Sequence, residues 1–265
     1  MARRADERPR LAMAGGSALC EALPWDSRFF GLSIARAVPS RLDAPTRDAM
    51  LEWCRSHGTD CLYFLGAPDD TATIQQLDAG GFQLVGVRVT LARSAAAGRG
   101  DVGGHVRPAA ARDIPALRDI ASSAHRDTRF HADSRFDAAR SDELYATWIE
   151  NSVRGYADQV LVAERDDTPV GYVTLHLEAP DAETDTAGRL ARIGLFAVHA
   201  RYRNQGIGRD LLRSAADTLA SAGVTGTSVV TAGRNVAALR LYKSEGFNTI
   251  DVALWYHRWF RDERR

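Results

Sequence analysis

The spacing of apolar residues changes repeatedly along this chain, and each change marks an element. Residues 33–40 alternate as a strand. Residues 44–58 follow a helical period, with Pro45 near the first turn and Gly58 just past the end. The apolar run Cys-Leu-Tyr-Phe-Leu-Gly at 61–66 predicts a short strand. Residues 69–82 predict a helix closed by Gly80-Gly81, and residues 83–94 alternate again. Further along, residues 106–125 predict a strand and then a helix whose start Asp113 marks. Residues 141–155 predict a helix, because Tyr145, Ile149 and Val153 recur at i, i+4 and i+8 with Leu144 and Trp148 beside them. Two strands about a turn at Asp166–Pro169 fill 159–178, and a third strand fills 189–203. The next helix has the stripe Ile207, Leu211, Ala215, Leu219 and a stop at Gly223. A strand at 227–233, a helix at 234–246 and a closing strand at 247–260 complete the pattern. Strands that pass into helices and return to strands predict an α/β fold with a mixed sheet flanked by helices.

The small-residue stretch 95–104 interrupts this pattern and predicts a linker. It divides a small N-terminal α/β domain, residues 16–94, from a larger domain, residues 105–265, behind a disordered N-terminus at 1–15. One echo links the halves: Gly-Phe followed by an alternating strand occurs at Gly81-Phe82 and at Gly246-Phe247. It suggests that the smaller domain is a shortened relative of the larger.

Composition removes several classes. Lys plus Arg and Asp plus Glu are both 34, so no global basic field draws the chain to nucleic acid or an anionic membrane. Cys20, Cys54 and Cys61 lack metal-ligand spacing and are odd in number for a disulfide framework, so reduced thiols and no metal are expected. The first sixteen residues carry charge but no apolar core of a secretory signal. No run approaches the roughly 18 apolar residues that span a bilayer. A cytoplasmic protein is expected.

Candidate chemistry begins at Arg201–Leu212, a glycine-punctuated loop entering a helix. Amides at such a place bind phosphate. A nucleotide P-loop needs a lysine after its second glycine, and position 211 is Leu with no lysine following. The dinucleotide fingerprint fits Gly206 and Gly208 but again meets Leu211.

Arg203-Asn204-Gln205-Gly206-Ile207-Gly208 instead resembles the Gln/Arg-x-x-Gly-x-Gly/Ala signature of the GNAT N-acetyltransferase superfamily. Asn235 to Phe247 resembles that superfamily's second motif, Asn-x-x-Ala-x-x-x-Tyr-x-x-x-Gly-Phe, in the expected order. The resemblance implies a GNAT fold and acetyl-CoA as co-substrate. Its pyrophosphate would lie on Arg203, Asn204, Gln205, Gly206, Ile207, Gly208 and Arg209, with glycine at 206 and 208 admitting close approach. Its pantetheine arm would pair with free backbone around Phe196 and Val198, the amide of Val198 serving the oxyanion. Asn235 would hold a pantetheine amide or cap its helix, or do both. Tyr242 takes the family position of the acid that protonates the departing thiolate, although it also fits as a core residue. The strand at 189–198 has no glutamate for a general base, which leaves His131, His176, Glu150 or a water chain.

Residues 23–37, 113–130, 144–155 and 191–198 also resemble the members acting on dTDP-4-amino-4,6-dideoxygalactose, with a Trp25-to-Gly31 and a Trp148-to-Gly155 motif. That likeness implies a small-molecule substrate, an amino-sugar nucleotide, and a place in polysaccharide biosynthesis. Arg129 and Arg154 are candidates for its diphosphate, and Phe130 and Trp148 for stacking. The stretch from Glu178 to Arg189 departs from those members as a polar hairpin. A protein N-terminus or another small amine as acceptor, a non-catalytic CoA sensor and a homodimer stay open.

Overall fold

A computed structural model describes residues 19–94, 105–178 and 189–261. The expected N-terminal tail, linker and polar hairpin insert lie outside these residues.

The chain divides into two compact units, residues 1–84 with 256–265, and residues 85–255. In the first, β1 (Cys20–Ala22) pairs antiparallel with β2 (Ile34–Ala37), which pairs in parallel with β3 (Cys61–Gly66). Helix α1 (Pro24–Phe30) stops at Gly31, whose φ of 67° is left-handed. Periodicity did not reveal α1: seven residues are too few to show a stripe, and its signal is the Trp25–Phe29 stack at 5.2 Å, one turn apart. Helices α2 (Ala44–Ser56) and α3 (Thr71–Ala79) begin on aspartates, Asp43 accepting from the amide of Thr46 and Asp70 from that of Thr73. Cys20, Cys54 and Cys61 are buried, and none of the three is in a disulfide.

The second unit is a mixed sheet. Its strands are β4 (Gln83–Ser94, from Val85), β5 (Val106–Pro108), β6 (Gln159–Arg165), β7 (Thr168–Leu177), β8 (Arg189–Val198), β9 (Val224–Ala232) and β10 (Asn248–Trp259, to Trp255). They lie in the order β10-β4-β9-β8-β7-β6-β5. Only the β8–β9 ladder is parallel among those between β4 and β5. The turn between β6 and β7 is tight because Asp166 and Asp167 adopt φ of 48° and 58°, a conformation aspartate tolerates.

One expected boundary moves. The pattern places the strand ending at Ser94 in the small domain; in the structure it pairs with β9 from Arg88↔Ala232 to Ser94↔Gly226 and falls in the larger unit. Conversely, Tyr256 onward joins the first unit, where the Phe260 amide donates to the Asp60 carbonyl and the His257 ring lies tilted against Tyr63 at 4.8 Å. Strand pairing is non-local, and no local period reports which sheet a strand will enter.

Helices α4 (Ile114–Ala124), α5 (Arg129–Ala132), α6 (Ala138–Asn151), α7 (Ile207–Ser221) and α8 (Val236–Ser244) flank this sheet. The stripe Ile207, Leu211, Ala215 and Leu219 of α7 is wholly buried against Val173, Leu175 and Ile193. Each such Leu or Ile contributes about 1.5–3 kcal/mol by leaving water. Because side chains alternate along a strand, Tyr172, Thr174 and His176 of β7 point to the opposite face. There the His125 ring, just past α4, meets the Tyr172 hydroxyl at 2.9 Å and stacks on Tyr145 of α6. Helix α6 passes into a wider turn at Ser152–Tyr156, where Gly155 holds φ of 109°. No helix among the described residues is long and apolar enough to cross a membrane.

Candidate active site

The site grows from a defect in the sheet. Strands β8 and β9 pair from Arg189↔Val224 to Ile193↔Val229, and the ladder ends there. Both strands continue, β8 to Val198 along β7 and β9 to Ala232 along β4, so a wedge opens between them. The wedge starts at a bulge: Leu175 faces Ile193 but Val173 faces Phe196, so Gly194 and Leu195 together oppose Thr174. The Leu195 amide is satisfied by the Thr174 hydroxyl at 2.8 Å.

Beyond the bulge, the alternation of an antiparallel ladder fixes which groups face the wedge. The His199 amide donates to Val170, so the N–H and C=O of Phe196 and Val198 turn away from β7. Such groups need partners. The Val198 carbonyl accepts from Arg203 Nε at 3.1 Å, which leaves the amides of Phe196 and Val198 as a strand edge for an extended ligand.

The loop after β8 lies at the mouth of the wedge. Asn204 and Gly206 both adopt left-handed φ, 62° and 85°, and no side chain caps α7. The amides of Ile207 and Gly208, in the first turn, have no intrahelical acceptor, and the helix dipole adds positive potential. The set is smaller than 204–209, because the Arg209 amide donates to the Gly206 carbonyl. The Arg209 side chain is engaged as well, by Glu245 at 3.0 Å. The two glycines have different reasons. At Gly206 the conformation demands glycine and nothing lies within 4 Å of an added Cβ; at Gly208 an added Cβ would meet Leu241 at 3.0 Å and Phe196 at 3.4 Å. Gly206→Ala is therefore expected to cost about 1–2 kcal/mol by thermal or urea unfolding. It should also weaken acetyl-CoA binding in calorimetry; unchanged stability would contradict the conformational reading.

Glu245 accepts from Arg209 and Arg213 of α7, and its carbonyl accepts from Arg93 of β4. This clamp fixes the end of α8 and so the position of Tyr242. That ring is buried 6.0 Å from Phe196 and 5.6 Å from Phe247, and burial pushes its hydroxyl pKa up. Asn235 caps α8 by accepting from the Ala238 amide at 3.1 Å.

The acceptor-side candidates fare unequally. Phe130 is a core residue, edge-on to Phe136 at 5.4 Å and only 3% exposed, so it offers no face for stacking. Its apolar neighbours claim it through tertiary contacts that a four-residue helix does not reveal. Arg129 lies over both Phe130 and Trp255. Trp148 is half-buried, edge-on to Tyr145. Arg154 is exposed and paired with Glu150 at 2.8 Å. Glu150 is also held by Arg118 at 2.6 Å, and these cations keep its carboxyl below the usual range. His131 bonds Thr128 through Nδ1 and Asp142 through Nε2. Sequence reasoning missed His125, whose pKa burial pushes down to about 4, and the Thr174–Gly194 bulge. A glycine inside a strand pattern was the available signal for the bulge.

Comparison with known proteins agrees with this geometry. Residues 115–247 match the acetyltransferase (GNAT) family. The dTDP-fucosamine acetyltransferase of Escherichia coli O6:H1 (strain CFT073) is 35% identical over 90% of this chain and 97% of its own. A functionally unknown conserved protein of Staphylococcus epidermidis has the same fold, with TM-score 0.60 at 15% identity over 90% of this chain and 89% of its own. A GCN5-related N-acetyltransferase of Kribbella flavida gives 0.59 at 16% over 91% and 87%. The family match across half of the chain and the 35% identity to an acetyltransferase over nine-tenths of it show that this chain belongs to the acetyltransferase (GNAT) family and is an N-acetyltransferase.

Proposed function

We propose that the chain transfers the acetyl group of acetyl-CoA to the 4-amino group of a dTDP-4-amino-4,6-dideoxyhexose of the fucosamine type. The observation that carries this reading is the 35% identity to a dTDP-fucosamine acetyltransferase across 97% of that protein, small N-terminal part included. The pyrophosphate of acetyl-CoA lies on the amides at 204–208, with Arg203 and Gln205 beside it, and the pantetheine arm adds to β8 at Phe196 and Val198. Asn235 holds the arm from the start of α8. The amine attacks the thioester carbon, a wedge-facing backbone amide of β8 steadies the oxyanion, and Tyr242 supplies hydrogen to the departing thiolate. Arg129, Trp148 and Arg154 receive the nucleotide and sugar. Acetyl-CoA and nucleotide sugars meet in the cytoplasm, which is where we place the reaction.

The test is thiol release from acetyl-CoA with a panel of dTDP-4-amino sugars, alongside peptides with free N-termini and simple amines. A kcat/KM for the fucosamine-type sugar at least about tenfold above the other acceptors is expected, a gap of roughly 1.4 kcal/mol in transition-state binding. Preference for a peptide or a simple amine would remove the sugar reading.

A further inference from the structure

The acid of the reaction has a candidate in Tyr242, but the group that takes the amine's proton is still to be chosen among His131, His176, Glu150 and a water chain. The wedge itself says where to look. An arm that enters from the loop at 204–208 and runs back along β8 stops where β8 and β9 resume pairing, at Ile193↔Val229. From Val198 to Gly194 is four residues, about 13 Å of strand. The thioester at the end of the arm thus comes to rest beside the bulge at Gly194 and Leu195.

A titratable side chain, His176, lies against that bulge. A Cβ built on Gly194 would stand 2.5 Å from His176 Nε2 and 2.7 Å from Thr174 Oγ1. The imidazole therefore occupies the space that any other residue at 194 would fill. Among the described residues Nε2 makes a long contact of 3.4 Å with Thr174 Oγ1, whose oxygen already accepts the Leu195 amide. His176 shares a face with Tyr172 and Thr174, whereas Tyr242 packs with Phe196 on the other face, with α7 and α8. A nucleophile arriving on one face and a thiolate leaving on the other would then each meet its own proton carrier.

The competing groups are placed less well. Both nitrogens of His131 and both oxygens of Glu150 are engaged as described above. His125 meets Tyr172, which lies opposite Ala197 and about 13 Å along β7 from His176.

We propose that His176 is the general base of the acetyl transfer. It rests on the N-acetyltransferase activity and not on the identity of the sugar. The neutral amine's lone pair forms the bond to the thioester carbon, and His176 Nε2 takes the N–H proton. The C–S bond breaks, its electron pair leaves on sulfur, and Tyr242 gives sulfur a proton. His176 then loses its proton to solvent and Tyr242 regains one, so no further reactant is needed. The groups facing His176 are Arg192 across the β7–β8 ladder, Asp158 at the head of β6, and the Tyr156 ring edge-on at 5.6 Å beyond α6. Burial, then Arg192, lowers its pKa, with Asp158 opposing, so the ring is neutral at pH 7 and its lone pair is available.

The test is the pH dependence of kcat/KM for wild type and His176→Gln, with two acceptors whose amines differ in pKa. In wild type one acid limb should stay in place for both acceptors, below about 6.5, while the limb of the amine moves. His176→Gln should lose the fixed limb and about a hundredfold in rate at pH 7, with acetyl-CoA affinity unchanged. In His176→Ala, added imidazole should restore rate in proportion to its free-base form. A wild type without a fixed limb overturns the proposal by itself, as does a His176→Gln enzyme that keeps the limb or stays within about threefold of wild type. If no dTDP sugar turns over, the substrate reading fails alone, because slow thiol release with water as acceptor gives the same profile for the same variants.

Discussion

Replacing Tyr242 by phenylalanine is expected to lower kcat by about a thousandfold while acetyl-CoA binds as tightly as before. The substitution keeps the ring against Phe196 and Phe247 and removes only the hydroxyl, so packing and the arm's strand-like contacts survive. Burial raises the pKa of that hydroxyl above its ordinary value of about 10. A raised pKa keeps the phenol protonated across the working range and makes it a hydrogen-bond donor first. Full proton delivery to a thiolate of pKa about 8.5 is uphill in water. In the same dry pocket the thiolate is destabilised as well, which narrows the gap. The wild-type rate should accordingly hold its plateau past the pH at which an exposed tyrosine ionises. Single-turnover thiol release across pH measures both effects. A phenylalanine variant within a few-fold of wild type would reduce Tyr242 to a packing residue.

A second large effect is expected far from the chemistry. Asp113 is 3% exposed, takes a bidentate pair of bonds from Arg107 at 2.7 and 2.9 Å, and accepts the Ala110 amide at 2.7 Å. Arg107 also contacts Glu164 of β6, tying the start of α4 to the edge of the sheet. Asp113→Ala removes a buried partner, but Arg107 keeps some solvent and Glu164, so the cost should be about 2–3 kcal/mol rather than the 3–5 of a wholly buried pair. The Arg107 guanidinium holds the Asp113 carboxyl below its usual range. The folded pKa is depressed, so the stabilisation is present above the unfolded value of about 3.9 and is lost as pH falls through the folded one. Urea unfolding from pH 7 to pH 2 should show a steeper acid decline in wild type than in Asp113→Ala. Parallel curves would show that the carboxylate adds no pH-dependent stability.

Much of this was legible in the order of residues. The α7 stripe was read from spacing alone, and all four of its members are buried. The strands at 61–66 and 83–94 have the bounds their patterns predict. The loop and the positions of Asn235 and Tyr242 were legible because two motifs constrain each other at a distance. Four things were not. Helix α1 is shorter than two helical turns, and Phe130 looked available because its neighbours in space are not its neighbours in sequence. The Arg209 amide turned inward because the first turn of α7 is tighter than a motif can state. Among His131, His176 and Glu150, sequence offered no preference. What distinguishes their surroundings is the partners each finds in space, Asp142 for His131, Arg118 for Glu150 and the β8 bulge for His176.

The place of β4 in the sheet has a consequence for truncation. Strand β4 lies between β10 and β9 in the catalytic sheet, yet it is encoded before the interruption at 95–104. A gene fragment beginning after that interruption would specify a sheet missing an interior strand, and one ending there would lack the segment after Trp255. A chain shortened to residue 85 would keep the part of β4 that pairs with β9, whereas one shortened to residue 105 would lose it.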